Sequence, residues 1–508
     1  MLMAKTLHHC FTCLMIICTC FMGFNARVNA AVTFGECTGA QGDKSSKHVA
    51  SAQCAILTIA ENPKAPNERQ LNIHVLRIPA ISETPESPIF FIAGGPGQAA
   101  EDIAPTIRQQ LRTINQTRDL VFVDQRGTGK SAPLKCEFDE PQLAQLPHHQ
   151  RVEHFVNALE KCVKGYEADL RFYTTNYAVD DLEYVRQALN YPKINLWGGS
   201  YGTRVALRYI RRYPDAIRSA VIDGVAPLEL SMPYHIDNDA SMAAEKLFAQ
   251  CDASACQKAF GSLKQQWLKL LNQTENTPEK ARVQTFSHPR SEQAEIVYID
   301  TFTLSQWLRF ALYSRQLMPL LPLAIHEAAN GDLKLLYSLA AIGADKAEDN
   351  ISMGMHFSVI CNEDRGYAKQ HKLTPESADL VLRVGSEIQY QSACQHFPNS
   401  VFDKSYFEPI VSDVPVLILS GQFDPVTPER WGEYVHNNFA NSQHITVSGG
   451  HHIATGLGCI PDILSQFYQS TQMKNIDISC IEKIKPAPFF IDGAGPNLSP
   501  DTSSVLKP

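Results

Sequence analysis

The segment INLWGGSYG, residues 194–202, decides how this chain folds. Its first four residues are mostly apolar, as in a buried strand, and they run into a G-x-S-x-G motif. No helix breaker stands between Thr203 and Tyr213, so a helix is predicted directly after the motif. A serine in such a strand-to-helix turn has a strained backbone and a hydroxyl that projects above the sheet. Ser200 is therefore the candidate nucleophile, and the Tyr201 N–H is a candidate oxyanion donor.

Other apolar runs of the same kind occur on both sides of this segment. They are Ile89–Ala93 before GGPG, Leu120–Val123 before DQRGTGKS, and Ala220–Ile222 before DGV. Short apolar runs separated by helical stretches indicate parallel strands that are buried on both faces. The sequence thus predicts an α/β fold with a doubly wound, mostly parallel sheet.

The character of the sequence changes near Pro227 and again near Pro415. Between these positions the chain is rich in Leu, Ala and Gln, with a helical pattern and few strand signals. Strand-helix alternation then resumes, and the last residues are rich in Pro, Gly and Ser. The predicted organisation is a signal peptide at 1–30, the first part of the sheet domain at 31–227, a helical lid at 228–410, the second part of the sheet domain at 411–482, and an extended tail at 483–508.

Residues 1–30 have the pattern of a signal peptide. Lys5 supplies a positive start, residues 10–24 are uncharged and mostly apolar, and Val28-Asn29-Ala30 offers small residues for cleavage. A retained anchor is the alternative, but the apolar run is shorter than the roughly twenty residues that span a bilayer. A lipid-modified cysteine is a weaker alternative because the small residues expected before it are mostly absent.

The cysteines support export. Four of the 14 lie within residues 1–30, and the remaining ten fall in neighbouring couples. An even number in an exported chain predicts disulfides, although their connectivity stays open. The protein is expected to be periplasmic or secreted. The couples are Cys37 and Cys54, Cys136 and Cys162, Cys251 and Cys256, Cys361 and Cys394, and Cys459 and Cys480.

Charge and spacing exclude several function classes. The formal net charge is -8, and no dense Lys/Arg block invites nucleic acid or an anionic membrane. DQRGTGKS lacks the spacing of a phosphate loop, so we expect Arg126 to make a structural ion pair. The ten cysteines after residue 30 contain no CxxC spacing that would indicate zinc or a redox pair, and no metal or organic cofactor is expected.

A serine nucleophile needs a base and an acid that orients it. His451, in VSGGHH after the last predicted strand, is the preferred base, and the adjacent His452 is its rival. Asp424, in LILSGQFDPVTP, ends the preceding strand and gives the order serine, aspartate, histidine. Asp223 is the alternative acid, unless it caps a turn. Gly95 in GGPG is the candidate for the second oxyanion donor.

Taken together, GGPG, DQRGTGKS, GGSYGT, GQFDPVTP and GGHH resemble the proline iminopeptidase and tripeptidyl aminopeptidase family of α/β-hydrolases. The last section is similar to the family's TAP-like C-terminal region. The resemblance covers about residues 85–226 and 410–480. It implies an α/β-hydrolase fold and exopeptidase activity on peptides with a free N-terminus, whereas the lid is far less recognisable. It also supports the triad Ser200, Asp424 and His451.

Two departures from the family pattern stand out. Ala93 occupies the position of the usual histidine before GGPG, and GGHH carries a second histidine where glycine or serine is commoner. An aminopeptidase must also bind a substrate ammonium. Glu363 and Asp364 in the lid are the candidates for this role, with a surface ion pair to Arg365 as the alternative.

Two other functions compete with the aminopeptidase. An esterase or lipase-like hydrolase would use the same triad and ignore the amine. A non-enzymatic binding protein on this fold is disfavoured by an intact triad. The residue removed, the number removed per event and the oligomeric state stay open.

Overall fold

A computed structural model describes residues 32–37, 51–347, 351–374, 380–400 and 402–496. The predicted signal peptide and residues 497–508 of the predicted tail lie outside the described residues. Within the described ranges, the model contains no helix that combines the length and the apolar character required to cross a membrane.

The described strands form one nine-stranded sheet and one separate hairpin. The sheet order is β1-β2-β3-β5-β4-β6-β7-β10-β11, and β8 pairs with β9. The strands are β1 Gly35–Glu36, β2 Gln53–Ala60, β3 Gln70–Ile78, β4 Glu86–Ile92, β5 Arg118–Val123, β6 Ile194–Gly199, β7 Ile217–Asp223, β8 Val283–Ser287, β9 Ala294–Tyr298, β10 Val416–Gly421 and β11 Ser442–Val447.

The predicted mostly parallel sheet is confirmed. The six strands from β5 to β11 in sheet order are parallel to one another, whereas β1, β2 and β3 pair antiparallel at one edge, where β3 also pairs antiparallel with β5. Successive side chains of β4 point to opposite faces of the sheet, and both faces are buried, which explains the continuous apolar run in its sequence. Phe90 belongs to the hydrophobic cluster on one face of the sheet, and Phe91 belongs to the cluster on the other.

The structure describes sixteen α-helices. Some cover the sheet, and the others belong to the segment between β7 and β10, which is called the lid below. Helices α6 to α14 and the hairpin lie between β7 and β10, and most pack around a hydrophobic cluster of their own that contains Trp267 and Trp307. The helices are α1 Ala104–Gln110, α2 Glu140–Ala144, α3 His148–Lys164, α4 Thr175–Ala188, α5 Tyr201–Arg212, α6 Met232–Asp252, α7 Ala255–Phe260, α8 Leu263–Glu275, α9 Thr301–Leu312, α10 Leu321–Ala329, α11 Lys334–Ala347, α12 Met353–Val359, α13 Arg365–His371, α14 Ser386–Ala393, α15 Glu429–His436 and α16 Ile460–Ser470.

Five disulfides link parts of the chain that are close in sequence. The sequence left the connectivity open, and in the structure each of these cysteines is bonded to its neighbour along the chain. Two of the five bonds lie within the lid. Each bond closes a loop and so restricts the unfolded chain. The bonds join Cys37 to Cys54, Cys136 to Cys162, Cys251 to Cys256, Cys361 to Cys394, and Cys459 to Cys480.

A buried ion pair connects the turn after β5 to α4. Arg126 makes the expected structural contact: its Nε and Nη2 lie 2.7 and 2.6 Å from the Asp181 carboxylate. Two parallel hydrogen bonds of this kind hold both groups in one orientation. DQRGTGKS is therefore fixed against the helix that packs beside it.

Candidate active site

Ser200 occupies a strained turn between β6 and α5. Its φ of 54° and ψ of -127° are unusual for a residue with a side chain. The Ser200 N–H donates to the Asp223 carbonyl at 2.9 Å, which ties the turn to β7. A Cβ on Gly202 would collide with the carbonyl of Ile92, so only glycine lets α5 approach β4 this closely. The surrounding structure therefore holds the strained serine in place.

The serine lies where the strand order of the sheet reverses. β4 and β6 are neighbours, but the chain leaves β4 toward β5 and leaves β6 toward β7, on the opposite side. Such a reversal opens a crevice at the carboxyl ends of the strands. The GGPG turn follows β4 into this crevice. A Cβ on Gly94 would lie 3.0 Å from the Ser200 Cβ, and Gly95 lines the same cavity with a φ of +103°.

An aspartate and a histidine form a hydrogen-bonded pair beside this crevice. The Asp424 Oδ2 lies 2.9 Å from the His452 Nδ1. Backbone N–H groups of Val426 and Thr427 donate to Asp424 Oδ1 at 2.8 and 2.9 Å, and the Thr427 hydroxyl donates to Oδ2 at 2.7 Å. Burial opposes ionisation of Asp424, but the His452 ring and these donors lower its pKa to about 2.

The expected pairing of Asp424 with His451 is wrong. The His451 Nδ1 lies 2.5 Å from the carbonyl oxygen of Leu312, at the C-terminal end of α9, and His452 takes the place beside Asp424. Adjacent side chains on a non-helical segment project in different directions, so only one of the two rings meets the carboxylate. The motif GGHH did not reveal which one.

Asp223, the alternative acid, binds the backbone of a loop. Its carboxylate accepts hydrogen bonds from the N–H groups of Ala454 and Thr455 and from the Thr455 hydroxyl, at 2.7 to 3.0 Å. It therefore secures the loop that follows His452.

The pKa of His452 is the result of opposing effects. Burial lowers this pKa, but the nearby carboxylate of Asp424 raises it more strongly, and the carboxylate of Asp223 raises it further, so the pKa of His452 is raised.

Ser200 and His452 line one cavity of about 1130 Å³ between the sheet domain and the lid. Gly95 lines it as well, whereas Tyr201 is buried, with its hydroxyl 2.9 Å from that of Thr175. The lid contributes residues of α9, α12 and α14. Charged side chains of both signs line the described wall: Arg151, Arg309, Arg315, Glu140 and Glu295.

The two lid carboxylates expected to face the nucleophile do not line this cavity. Glu363 and Asp364 are fully buried in a π-helical turn between α12 and α13. Glu363 accepts from the N–H and hydroxyl of Thr175 at 2.6 and 2.8 Å, and Asp364 lies 2.6 Å from Arg204 of α5. This cation and these donors draw both carboxylates toward the sheet domain.

The alternative of an ion pair between these carboxylates and Arg365 is also wrong. Arg365 donates instead to the backbone carbonyls of Cys394 and Pro398, at 2.5 and 3.0 Å. Glu363 and Asp364 thus connect the lid to helices α4 and α5 through buried polar contacts. Its residue types were visible in the sequence, but its partners are distant along the chain.

A second contact between the lid and the sheet domain went unnoticed in the sequence. The Ser352 N–H donates to the carbonyl of Gly97 at 2.9 Å, and the His356 Nδ1 lies 3.2 Å from the carbonyl of Pro96. Burial lowers the pKa of His356 to about 4, so its ring is neutral near pH 7. The segment at the start of α12 thus fixes the GGPG turn through two hydrogen bonds to its backbone carbonyls.

One group of potential metal ligands occurs among the described residues: Cys54, His74 and Glu101. The Cys54 sulfur is bonded to Cys37, and His74 is paired with Glu101. A disulfide sulfur is not a thiolate ligand, so this group has the character of a structural contact.

The fold and the residues at the carboxyl ends of its strands define a hydrolase of known architecture. The chain belongs to the α/β-hydrolase fold family, whose model matches residues 87–456. It is similar to the tripeptidyl aminopeptidase of Streptomyces lividans, with 24% identity over 473 residues, 86% of this chain and 85% of that protein. A hydrolase of Escherichia coli (strain K12) is 29% identical over 162 residues, and this match spans 31% of this chain and only 32% of that protein. The solved proline iminopeptidase of Mycobacterium smegmatis is 15% identical over 82% of this chain and 95% of that one, with a TM-score of 0.37.

Proposed function

We propose that this protein is a serine exopeptidase that releases residues or short peptides from a free N-terminus. The observation that carries this proposal is that His452, hydrogen-bonded to the buried Asp424, lines the same cavity as Ser200. Those three groups are a nucleophile, a base and an orienting acid, which together define acyl transfer to serine.

In the proposed reaction, the Ser200 hydroxyl attacks the scissile carbonyl and His452 takes its proton. Asp424 holds the Nδ1 proton of the ring, which leaves Nε2 free to act as the base. The backbone N–H groups of Tyr201 and Gly95 are the proposed oxyanion donors, and each contributes roughly 3 kcal/mol. His452 then donates the proton to the leaving amine, and a water molecule releases the acyl product from Ser200.

The size of the cavity supports a peptide substrate. Pockets for small ligands commonly measure about 300 to 1,000 Å³, and this cavity of about 1130 Å³ is larger. Two relatives that each match 86% of this chain, from Streptomyces lividans and Streptomyces coelicolor, are named tripeptidyl aminopeptidase. Both observations favour a substrate that is longer than one or two residues. We propose no nucleic-acid partner and no cofactor.

A paired assay of free and blocked peptides tests this function. Proline- and alanine-terminated peptide amides, one to three residues long, are compared with their N-acetylated forms, and Ser200→Ala is the control. We expect at least about a tenfold preference in kcat/KM for the free N-terminus, and no turnover by S200A. Equal turnover of the free and blocked forms, together with efficient cleavage of simple acyl esters, would instead identify an esterase.

We also propose that the protein acts outside the cytoplasm. Five disulfide couples among the described residues support this location, because such bonds persist in oxidising compartments. The purified mature protein is expected to begin at Ala31 and to show no free thiol when it is denatured without reductant. Detection of several free thiols in that measurement would contradict the proposal.

A further inference from the structure

His451 is a buried histidine in the wall of the cavity, and the proposed reaction does not use it. It is 2% exposed, lines the cavity together with Ser200, and stacks on the ring of Phe423 with 5.6 Å between centroids. Its Nδ1 lies 2.5 Å from the carbonyl oxygen of Leu312, at the end of α9. The last carbonyls of a helix have no partner within the helix, so this contact caps α9 and fixes the ring.

This contact also determines which nitrogen of the ring carries the proton. A carbonyl oxygen only accepts hydrogen bonds, so Nδ1 must be the N–H donor and Nε2 must hold the lone pair. Nε2 has no hydrogen-bond partner among the described residues and almost no solvent-accessible surface, so a donor group reaches it when neighbouring atoms of the cavity wall shift. Buried polar atoms nearly always have a partner, so an unpaired acceptor in the wall of a large cavity points to a ligand with a donor group.

The surroundings of the ring favour a neutral acceptor. Burial lowers the pKa of His451 to about 4, which keeps the ring uncharged near pH 7. The two charged groups that act on it are Asp424, which favours positive charge there, and Arg315, which opposes it more weakly. A donor on a nitrogen atom, charged or neutral, is therefore compatible with this position.

We propose that His451 determines substrate specificity, with its Nε2 accepting a hydrogen bond from a nitrogen of the peptide substrate. The donor is either the terminal ammonium or the first backbone amide, and this inference rests on the proposed exopeptidase function. The proposal gives a role to the second histidine of GGHH. It also supplies a recognition group in place of Glu363 and Asp364, which do not line the cavity.

Two variants separate recognition from the structural contact with Leu312. In His451→Asn, the side-chain amide reaches the position of Nδ1 and can still donate to Leu312, but nothing replaces Nε2. In His451→Gln, the amide reaches the position of Nε2 and supplies an acceptor there. Thermal unfolding of both variants verifies that the fold is retained.

The substrates are the best free-amine peptide of the paired assay, its desamino analogue, and its analogue N-methylated at the first peptide bond. We expect H451N to raise KM for the parent peptide about tenfold, with a much smaller change in kcat, and H451Q to restore most of the loss. A loss confined to substrates that carry the α-amine identifies the ammonium as the donor. If H451N raises KM for every substrate except the N-methylated peptide, the backbone amide is the donor.

Two results would overturn the proposal. One is an unchanged KM for the parent peptide in H451N. The other is a fall in kcat of about a hundredfold or more at constant KM, which would make His451 a base. Failure of the exopeptidase function is a separate result, because it shows in the wild-type enzyme alone, as equal turnover of free and blocked peptides.

Discussion

Two adjacent histidines in this protein have opposite electrostatic environments. His452 contacts the ionised Asp424, and this contact raises its pKa despite burial. His451 is hydrogen-bonded to a backbone carbonyl and stacked on the Phe423 ring, and burial lowers its pKa to about 4. A base for serine must be able to carry the proton in the transition state, and His452 is the ring that is hydrogen-bonded to the carboxylate of Asp424, which stabilises the imidazolium.

Asp424→Asn should therefore lower both the rate and its pH midpoint. The base is active when neutral, so kcat/KM is lost as pH falls through the pKa of His452, which Asp424 raises above its ordinary value. Without the carboxylate, burial dominates and the midpoint moves to lower pH, while kcat falls by roughly 10³ to 10⁴.

The measurement is kcat/KM from about pH 5 to about pH 9, the range in which histidine titrates. Asp223→Asn is the matched control, because Asp223 bonds to the loop at Ala454 and Thr455 rather than to the ring. It should move the midpoint less. A midpoint that rises in D424N, or the same shift in both variants, would contradict the assignment of Asp424.

At the scale of elements, the lid is attached to the sheet domain by buried polar contacts. The π-helical turn between α12 and α13 presents Asp364 to Arg204 of α5 and Glu363 to Thr175 of α4. Arg204 is 3% exposed, and removing Asp364 leaves this buried cation with Glu363, at 3.8 Å, as its remaining carboxylate partner. Helix α5, which begins directly after Ser200, is thereby fixed to the lid.

Asp364→Ala should destabilise the protein strongly, by about 3 to 5 kcal/mol of unfolding free energy, because Arg204 loses its close partner. Glu363→Gln should cost less than half of that. The glutamine amide can bond to both groups of Thr175, and burial already raises the pKa of Glu363 and disfavours its charge. Guanidinium unfolding at neutral pH measures both values. A larger loss for E363Q than for D364A would contradict this account.

Several elements were predictable because a single physical signal decides them. Each of the strands β4, β5, β6, β7 and β10 contains a run of buried, mostly apolar residues, as expected for a strand that is covered on both faces. β2 and β3 were not predicted, because they lie at the antiparallel edge and alternate between buried and exposed positions. The hairpin β8–β9 was also missed: most of its side chains are exposed, so burial leaves little pattern in its sequence.

At the scale of the whole molecule, the site could be predicted only in part. Ser200 and Asp424 follow strands whose ends meet by the topology of the sheet, so their neighbourhood follows from the order of the elements. The choice between His451 and His452 depends on which ring faces Asp424, and the burial of Glu363 depends on Thr175, 188 positions away. Contacts of that kind have no local signal in the sequence.

The central claim is that Ser200 is activated by His452 and not by its neighbour. Labelling of Ser200 by a small fluorophosphonate tests this directly, because it needs the activated hydroxyl but no peptide recognition. We predict that H452N is labelled at least about a hundredfold more slowly than H451N. Slower labelling of H451N, or equal rates in the two variants, would contradict the account.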